Sequence, residues 1–246
     1  MNGIDDAAAL DRAFCSLEVA ERLLLLRSRV EGPLVFTTSL GLEDQVLLHL
    51  IAEGGIAARV VTLDTGRLFP ESYALWAETE ARYGVRIEPV FPEASDVENL
   101  VATFGINGFY GSKAARMACC GVRKVDPLAR ALEGAQGWIT GLRADQSEGR
   151  SRMPFASWDE GRGLIKASPI LDWTRERAAD FAASENVPIS PLHQRGFLSI
   201  GCAPCTRAVA PGETERSGRW WWEQAGSQEC GLHVVDGRLV RAGADR

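Results

Sequence analysis

A chain of 246 residues that is 46% hydrophobic is long enough to bury a substantial core, and it fits one large α/β domain with an appended tail. Its formal charge of −6 leaves no overall basic footprint for nucleic acid, and apolar stretches such as Leu23–Leu26 and Val46–Ala52 fall far short of the ~20 residues a membrane helix needs. Asp5, Asp6 and Asp11 stand where a secretory signal would place basic residues and then an apolar run, which predicts a reducing, cytoplasmic home.

In chain order, an amphipathic helix is predicted over 6–30, ending near Gly32-Pro33, and Leu34-Val35-Phe36-Thr37 then reads as a short buried strand. Cys15, on the same pattern as Leu10, Phe14 and Leu17, reads as an ordinary buried thiol. Ser39-Leu40-Gly41-Leu42-Glu43-Asp44 forms a loop, and Gln45 to Ala52 continues as an apolar helix. A second strand, Arg59–Leu63, runs into Asp64-Thr65-Gly66-Arg67; Pro70 opens a helix reaching about Tyr83, and Val85–Val90 is a third strand. Helical patterns near 95–104 and 124–133 flank Cys119-Cys120, and Gly137-Trp138-Ile139-Thr140 gives a further strand before the loop Gly141–Ser147. This alternation implies a doubly wound, mostly parallel sheet, in which ligands bind at the loops where strands end.

Those loops carry glycines suited to a nucleotide phosphate, yet each has a plainer reading. Gly41 could let backbone N–H groups at a helix N-terminus approach a phosphate, or Ser39 and Glu43 could form only a helix cap. Asp64 either holds a ribose or turns the chain, and Gly66 either faces the ligand or satisfies a positive φ. Lysine is confined to Lys113, Lys124 and Lys166, whereas Arg143, Arg150, Arg152 and Arg162 fall close together and Arg216 and Arg219 lie in the tail, as suits a bidentate grip on phosphate or sulfate.

The six cysteines bear most of the chemistry. Two pairs, Cys119-Cys120 and Cys202-x-x-Cys205, supply the four soft ligands of a zinc or iron–sulfur centre, and a further thiol, Cys230, remains for chemistry. Disulfides fit poorly, because vicinal cysteines strain the pairing geometry and the chain is neither small nor apparently secreted. Between the metals, neighbouring ligands sit more comfortably on the separate corners of a [4Fe-4S] cubane than around one zinc ion.

The set Ser39-x-Gly41-x-Glu43-Asp44, Leu63-Asp64-Thr65-Gly66-Arg67, Cys119-Cys120-x-x-Arg123-Lys124-Val125-x-Pro127-Leu128, Gly141-x-Arg143-x-x-Gln146-Ser147, Gly201-Cys202-x-x-Cys205-Thr206 and Glu229-Cys230-Gly231-Leu232-His233 resembles the assimilatory adenylyl-sulfate (APS) reductases over about residues 34–235. The resemblance implies an adenine-nucleotide hydrolase-like (Rossmann-like) fold, one [4Fe-4S] cluster per subunit on Cys119, Cys120, Cys202 and Cys205, and reduction of APS to sulfite and AMP by thioredoxin, in sulfate assimilation toward cysteine. It separates the chain from cluster-free 3′-phospho-APS (PAPS) reductases, which lack both ligand pairs. It assigns Cys230 as the nucleophile that becomes an S-sulfocysteine. It matches Arg143, Arg216 and Arg219 to the family's substrate-binding arginines; Ser39, Gly41, Asp64, Thr65 and Gly66 of the glycine loops are the further substrate-binding candidates, with Lys124, four residues after Cys120 and so on the same helix side toward both cluster and substrate, and His233, which either supports substrate or thiolate or caps the local fold.

The expected division is a nucleotide-binding core with the metal site over 1–205 and a mobile segment over 206–246, hinged at Ala210-Pro211-Gly212 and Ala225-Gly226-Ser227 so that Cys230 closes over substrate and swings out to thioredoxin. Trp220-Trp221-Trp222 is expected to dock this segment on the core. Ser227-Gln228 stand where many relatives carry a basic residue, and no glutaredoxin-like domain follows, so the reductant is expected to be a separate protein. Specificity for PAPS, or for both nucleotides, stays open, as does a homo-oligomeric state. A sulfur-inserting or adenylating enzyme would need a Ser-Gly-Gly-x-Asp-Ser loop that residues 39–44 do not match, and a noncatalytic zinc-stabilised binding protein would be colourless and indifferent to loss of Cys230.

Overall fold

The computed structural model describes residues 3–223. Six strands, β1 (Leu34–Thr38), β2 (Arg59–Leu63), β3 (Ile87–Val90), β4 (Gly137–Ile139), β5 (Ala156–Asp159) and β6 (Leu164–Ala167), form one sheet in the order β3-β2-β1-β4-β6-β5. Every pairing is parallel except that of β5, which runs antiparallel to β6 at the sheet's edge. The architecture is the expected doubly wound α/β sheet.

Alternation along the strands builds a core on each face. Phe36, Val60, Ile139 and Ile165 point into the larger core, whereas their neighbours Val35, Val61, Trp138 and Leu164 point into the smaller one. Helices α1 (Gly3–Phe14), α2 (Val19–Arg29), α3 (Leu42–Glu53) and α4 (Pro70–Tyr83) supply Phe14, Leu23, Val46 and Leu75 to the first core. Helix α5 (Ala94–Phe104) buries none of its residues, and α6 (Lys113–Cys120) leads through a π-helical turn, Gly121–Val125, into α7 (Asp126–Ala131), which gives Leu128 and Ala131 to the second core. Helix α8 (Arg175–Ser184) returns to the first face with Ala178 and Ala182. Residues buried on both faces of the sheet explain why β1 and β2 read as continuous apolar runs rather than as alternating ones.

Several expectations are corrected in detail. The single helix over 6–30 is two, because the chain breaks at Glu18, whose backbone N–H donates to Glu21 Oε2 at 2.9 Å, while Arg22 Nε reaches back to the Phe14 carbonyl at 2.9 Å. Cys15 falls just past the end of α1 and is exposed, one residue and so about 100° around from the buried Phe14. The third strand begins at Ile87, the helix near 124–133 is the π turn and α7, and the hairpin β5–β6 and helix α8 had no sequence expectation. Among the described residues, no helix is long and apolar enough to cross a membrane.

The chain leaves β1 toward β2 and β3 on one side and returns to place β4 on the other, so the loops after β1 and β4 diverge above the sheet. A crevice at such a switch point is where ligands bind in open α/β sheets.

Candidate active site

A cavity of about 200 Å³ opens at that switch point, with walls drawn from the loops after β1, β2 and β4 and from residues 198–201 and 215–220. Leu63, Leu128 and Trp138 give it apolar surface, while Lys124, Arg150, Arg216 and Arg219 give it cationic surface. The combination suits a ligand with a flat apolar ring and anionic groups.

In the loop after β1, the Ser39 N–H and hydroxyl both donate to Asp44 Oδ2 at 2.6 Å, and Leu40 takes a left-handed φ of 59° while its N–H donates to Thr38 Oγ1 at 3.0 Å. The residue capping α3 is Gly41, not Ser39 with Glu43, and a side chain at Gly41 would crowd the Ser39 hydroxyl. Burial pushes the Asp44 carboxyl up to about 6 against the hydrogen bonds from Ser39 and Gly141, and Glu43 adds to the rise. Asp44 thereby ties the β1 loop to the β4 loop.

The loop after β2 joins the cavity to the cysteines. Asp64 is 5% exposed and does not line the cavity; its Oδ1 accepts from the Gly66 N–H at 2.8 Å and the Tyr73 hydroxyl at 2.9 Å, so it turns the chain. Gly66 sits at φ 69°, a conformation that favours glycine. Thr65 lines the cavity, its carbonyl accepts from Arg123 Nη1 at 2.6 Å, and its hydroxyl lies 3.3 Å from Cys202 Sγ.

Cys119, Cys120, Cys202 and Cys205 line a second, smaller pocket as thiols not joined in disulfides, the last three each 8% exposed. Lys124, Arg219 and Trp220 line both pockets and form the wall between them. The π turn, rather than a regular helix, carries Lys124 into that wall. Burial opposes ionisation of Cys202, but Lys124, the Thr65 hydroxyl, Arg219 and Arg123 more than offset it and hold the thiol below its ordinary range. Cys205, buried and facing Cys202 and Cys120, is pushed up to about 12. Around the same pocket, Arg123 Nε, Arg219 Nε, Trp220 Nε1 and Trp222 Nε1 are buried donors with no hydrogen-bond partner among the described residues. No group of three or more described His, Cys, Asp or Glu side chains is gathered as the shell of a single metal ion.

The segment after Cys205 is packed down. Thr206 and Arg219 form an antiparallel bridge, and the Trp220 N–H donates to the Cys205 carbonyl at 3.2 Å. Trp220 is 1% exposed at a left-handed φ of 45° and lies between two guanidiniums, Arg116 at 4.7 Å and Arg219 at 4.8 Å from its ring. Arg116 in turn grips Glu223 through Nε at 2.7 Å and Nη2 at 2.8 Å. A Cβ at Gly201 would overlap the Arg219 guanidinium, so a side chain there would displace that group from its present place.

Arg143 is placed differently from the expectation. It is fully buried and absent from the cavity lining; Nε donates to Glu43 Oε1 at 2.9 Å, Nη2 to Glu215 Oε2 at 2.6 Å, and Nη1 pairs with Asp145. Arg150, which the arginine spacing had placed only in a general cluster, lines the cavity instead and pairs with Gln146. Glu43, Glu215 and His193 also line it and carried no distinct sequence signal for this position. Burial lowers the His193 imidazole, whose Nδ1 donates to the Phe197 carbonyl at 2.9 Å.

The phosphoadenosine phosphosulfate reductase domain family matches residues 33–208, well over half of the chain. The chain belongs to the APS/PAPS reductase family. As a member it is an oxidoreductase. An adenosine 5′-phosphosulfate reductase of Sinorhizobium fredii is 53% identical over 231 residues, covering 94% of this chain and 92% of that protein. One of Rhizobium meliloti is 54% identical over 221 residues, covering 90% of this chain and 83% of that protein. The crystal structure of a phosphoadenylyl-sulfate (PAPS) reductase from Candida auris, a phosphate complex, superposes with a TM-score of 0.69 over 82% of this chain and 96% of that one, at 23% identity, a likeness of fold. The stretch matched by the family takes in Cys119, Cys120, Cys202 and Cys205, while Arg216, Arg219, Cys230 and His233 lie beyond it. Cys230 and His233 are outside the described residues.

Proposed function

We propose that this member of the family reduces APS to sulfite and AMP in cytoplasmic sulfate assimilation toward cysteine, with thioredoxin as the reductant. The observation that carries the reading is the shared wall: Lys124, Arg219 and Trp220 face both a cationic, partly apolar pocket and a set of four cysteines. The APS reductases of Sinorhizobium fredii and Rhizobium meliloti support the choice of nucleotide by their identity to the chain.

The four cysteines fit a [4Fe-4S] cluster. They are soft donors whose joint ionisation is opposed by burial and mutual repulsion unless a cationic metal group is present. The adjacent pair Cys119 and Cys120 suits the separate iron corners of a cubane better than the single point of a zinc ion. The orphaned N–H groups of Arg123, Arg219, Trp220 and Trp222 are the donors that the sulfurs of an anionic cluster would satisfy. When bound, such a cluster supplies fixed charge and a brace between the two cysteine pairs.

In the proposed reaction the Cys230 thiolate attacks the APS sulfur, and the S–O bond to AMP breaks with its electron pair leaving on the AMP phosphate. The protein then carries Cys230–S–SO₃⁻. A thioredoxin thiolate attacks the Cys230 sulfur, sulfite departs with the S–S bonding pair, and the second thioredoxin thiol resolves the mixed disulfide, so the dithiol supplies both electrons. Lys124, Arg150, Arg216 and Arg219 neutralise phosphate and sulfate charge, and Leu63, Leu128 and Trp138 provide surface for the adenine.

The test is anaerobic purification followed by assay of sulfite release from APS and from PAPS with thioredoxin, alongside Cys230→Ser, with iron, sulfide and zinc content and the visible spectrum recorded. A coloured protein whose APS turnover disappears in the variant is the expected result. A colourless zinc protein inactive on both nucleotides overturns the reading, and a preference for PAPS keeps the chemistry while moving the specificity.

A further inference from the structure

Two carboxylates in the wall of an anion-binding pocket need an explanation. Glu43, at the start of α3, and Glu215, beside Arg216, both line the cavity, and both would repel a phosphate or sulfate. Neither stands alone. Arg143, fully buried behind them, bonds Glu43 and Glu215 through two different nitrogens and Asp145 through the third, and Arg175 lies 3.8 Å from Glu215. Burial and the nearby Glu43 raise the Glu215 carboxyl above its ordinary value even with Arg143 in place.

We infer that Arg143 is a positioning residue that never touches the nucleotide: it cancels the charge of Glu43 and Glu215 and draws together the β1 loop, the β4 loop and the segment that aims Arg216 into the cavity. The three segments are far apart in sequence, with 100 residues from Glu43 to Arg143 and 72 from Arg143 to Glu215, and one guanidinium fork registers them. Removing it would leave Glu43 and Glu215 in the cavity wall without the guanidinium that bonds both, next to the place where the ligand's anionic groups must sit. This inference rests on the nucleotide reading above.

Calorimetric titration of AMP and of adenosine against wild type, Arg143→Gln, Arg143→Lys and Arg143→Gln/Glu215→Gln separates the roles, with folding checked by circular dichroism below the melting temperature. Adenosine has the same ring and sugar without the charge. In Arg143→Gln the AMP dissociation constant is expected to rise about tenfold or more while that of adenosine stays within about twofold, because only the charged ligand feels the uncovered carboxylates. Adding Glu215→Gln should recover most of the AMP affinity, and Arg143→Lys, which keeps the charge but not the fork, should fall between. Equal loss of both ligands, no loss of AMP binding, or a double variant no better than the single one would overturn the inference. Wild type that binds neither ligand would instead overturn the nucleotide reading itself, and the inference with it.

Discussion

Asp44 shows how a residue can be retained at a cost in stability for the sake of a site. Its carboxyl titrates at about 6 in the folded protein against an ordinary value of 3.8, with burial the main cause. Between these values the folded state keeps a proton that the unfolded chain has released, so stability falls as pH rises through the window, by roughly 3 kcal/mol if the whole shift is realised. Asp44→Asn has no proton to lose. Its melting temperature relative to wild type is therefore expected to improve from pH 4 to pH 7, and scanning calorimetry giving parallel pH profiles for the two proteins would contradict the assignment. Arg143 marks the boundary of what was legible at this scale: its charge and its glycine-bearing loop were visible, but the carboxylates that occupy its guanidinium come from distant parts of the chain. Gly66 is the converse case, since its positive φ was one of the two readings open from the motif alone.

At the scale of elements, the strand–loop–helix rhythm from β1 through β4 was readable because short β-branched runs are punctuated by glycine and proline. The β5–β6 hairpin was not, because Lys166 stands in the middle of β6; it is buried there with its ammonium 4.8 Å from the Trp138 ring. The break at Glu18 escaped notice for a similar reason, as the apolar spacing continues across it. Helix α6 shows an element bound to another by a buried pair: Arg116, 1% exposed, holds Glu223 with two nitrogens and stacks on Trp220. Glu223→Ala takes from that buried guanidinium its carboxylate partner and is expected to cost roughly 3–5 kcal/mol in urea unfolding, whereas Arg116→Met/Glu223→Met removes both charges and should cost less than the single change. A double variant as unstable as the single one would place the energy in the Trp220 stack instead of the ion pair.

For the whole molecule, the sequence motifs pointed to the glycine loops and the paired cysteines as candidate halves of a site, with Lys124 expected to reach toward both, but the segments that bring the halves together were not legible. Their adjacency is made by residues 199–220, which the chain brings back over the sheet from beyond α8, and by the π turn that swings Lys124 inward. The wall of Lys124, Arg219 and Trp220 then has a thermodynamic corollary. A side chain that faces two compartments couples them when filling one shifts its position, and such coupling is reciprocal: the factor by which the proposed metal group on the cysteines would tighten AMP binding equals the factor by which AMP would tighten the metal group. With the proposed iron–sulfur cluster in place, nucleotide should accordingly slow the loss of iron to a chelator, and the stripped protein should bind AMP more weakly by a matching ratio. Iron loss at the same rate with and without AMP would mean that the wall divides the compartments without linking them. If the ratio holds, the proposed centre on these cysteines would resist disassembly better the more nucleotide is bound, so that a shortage of nucleotide would expose the metal first.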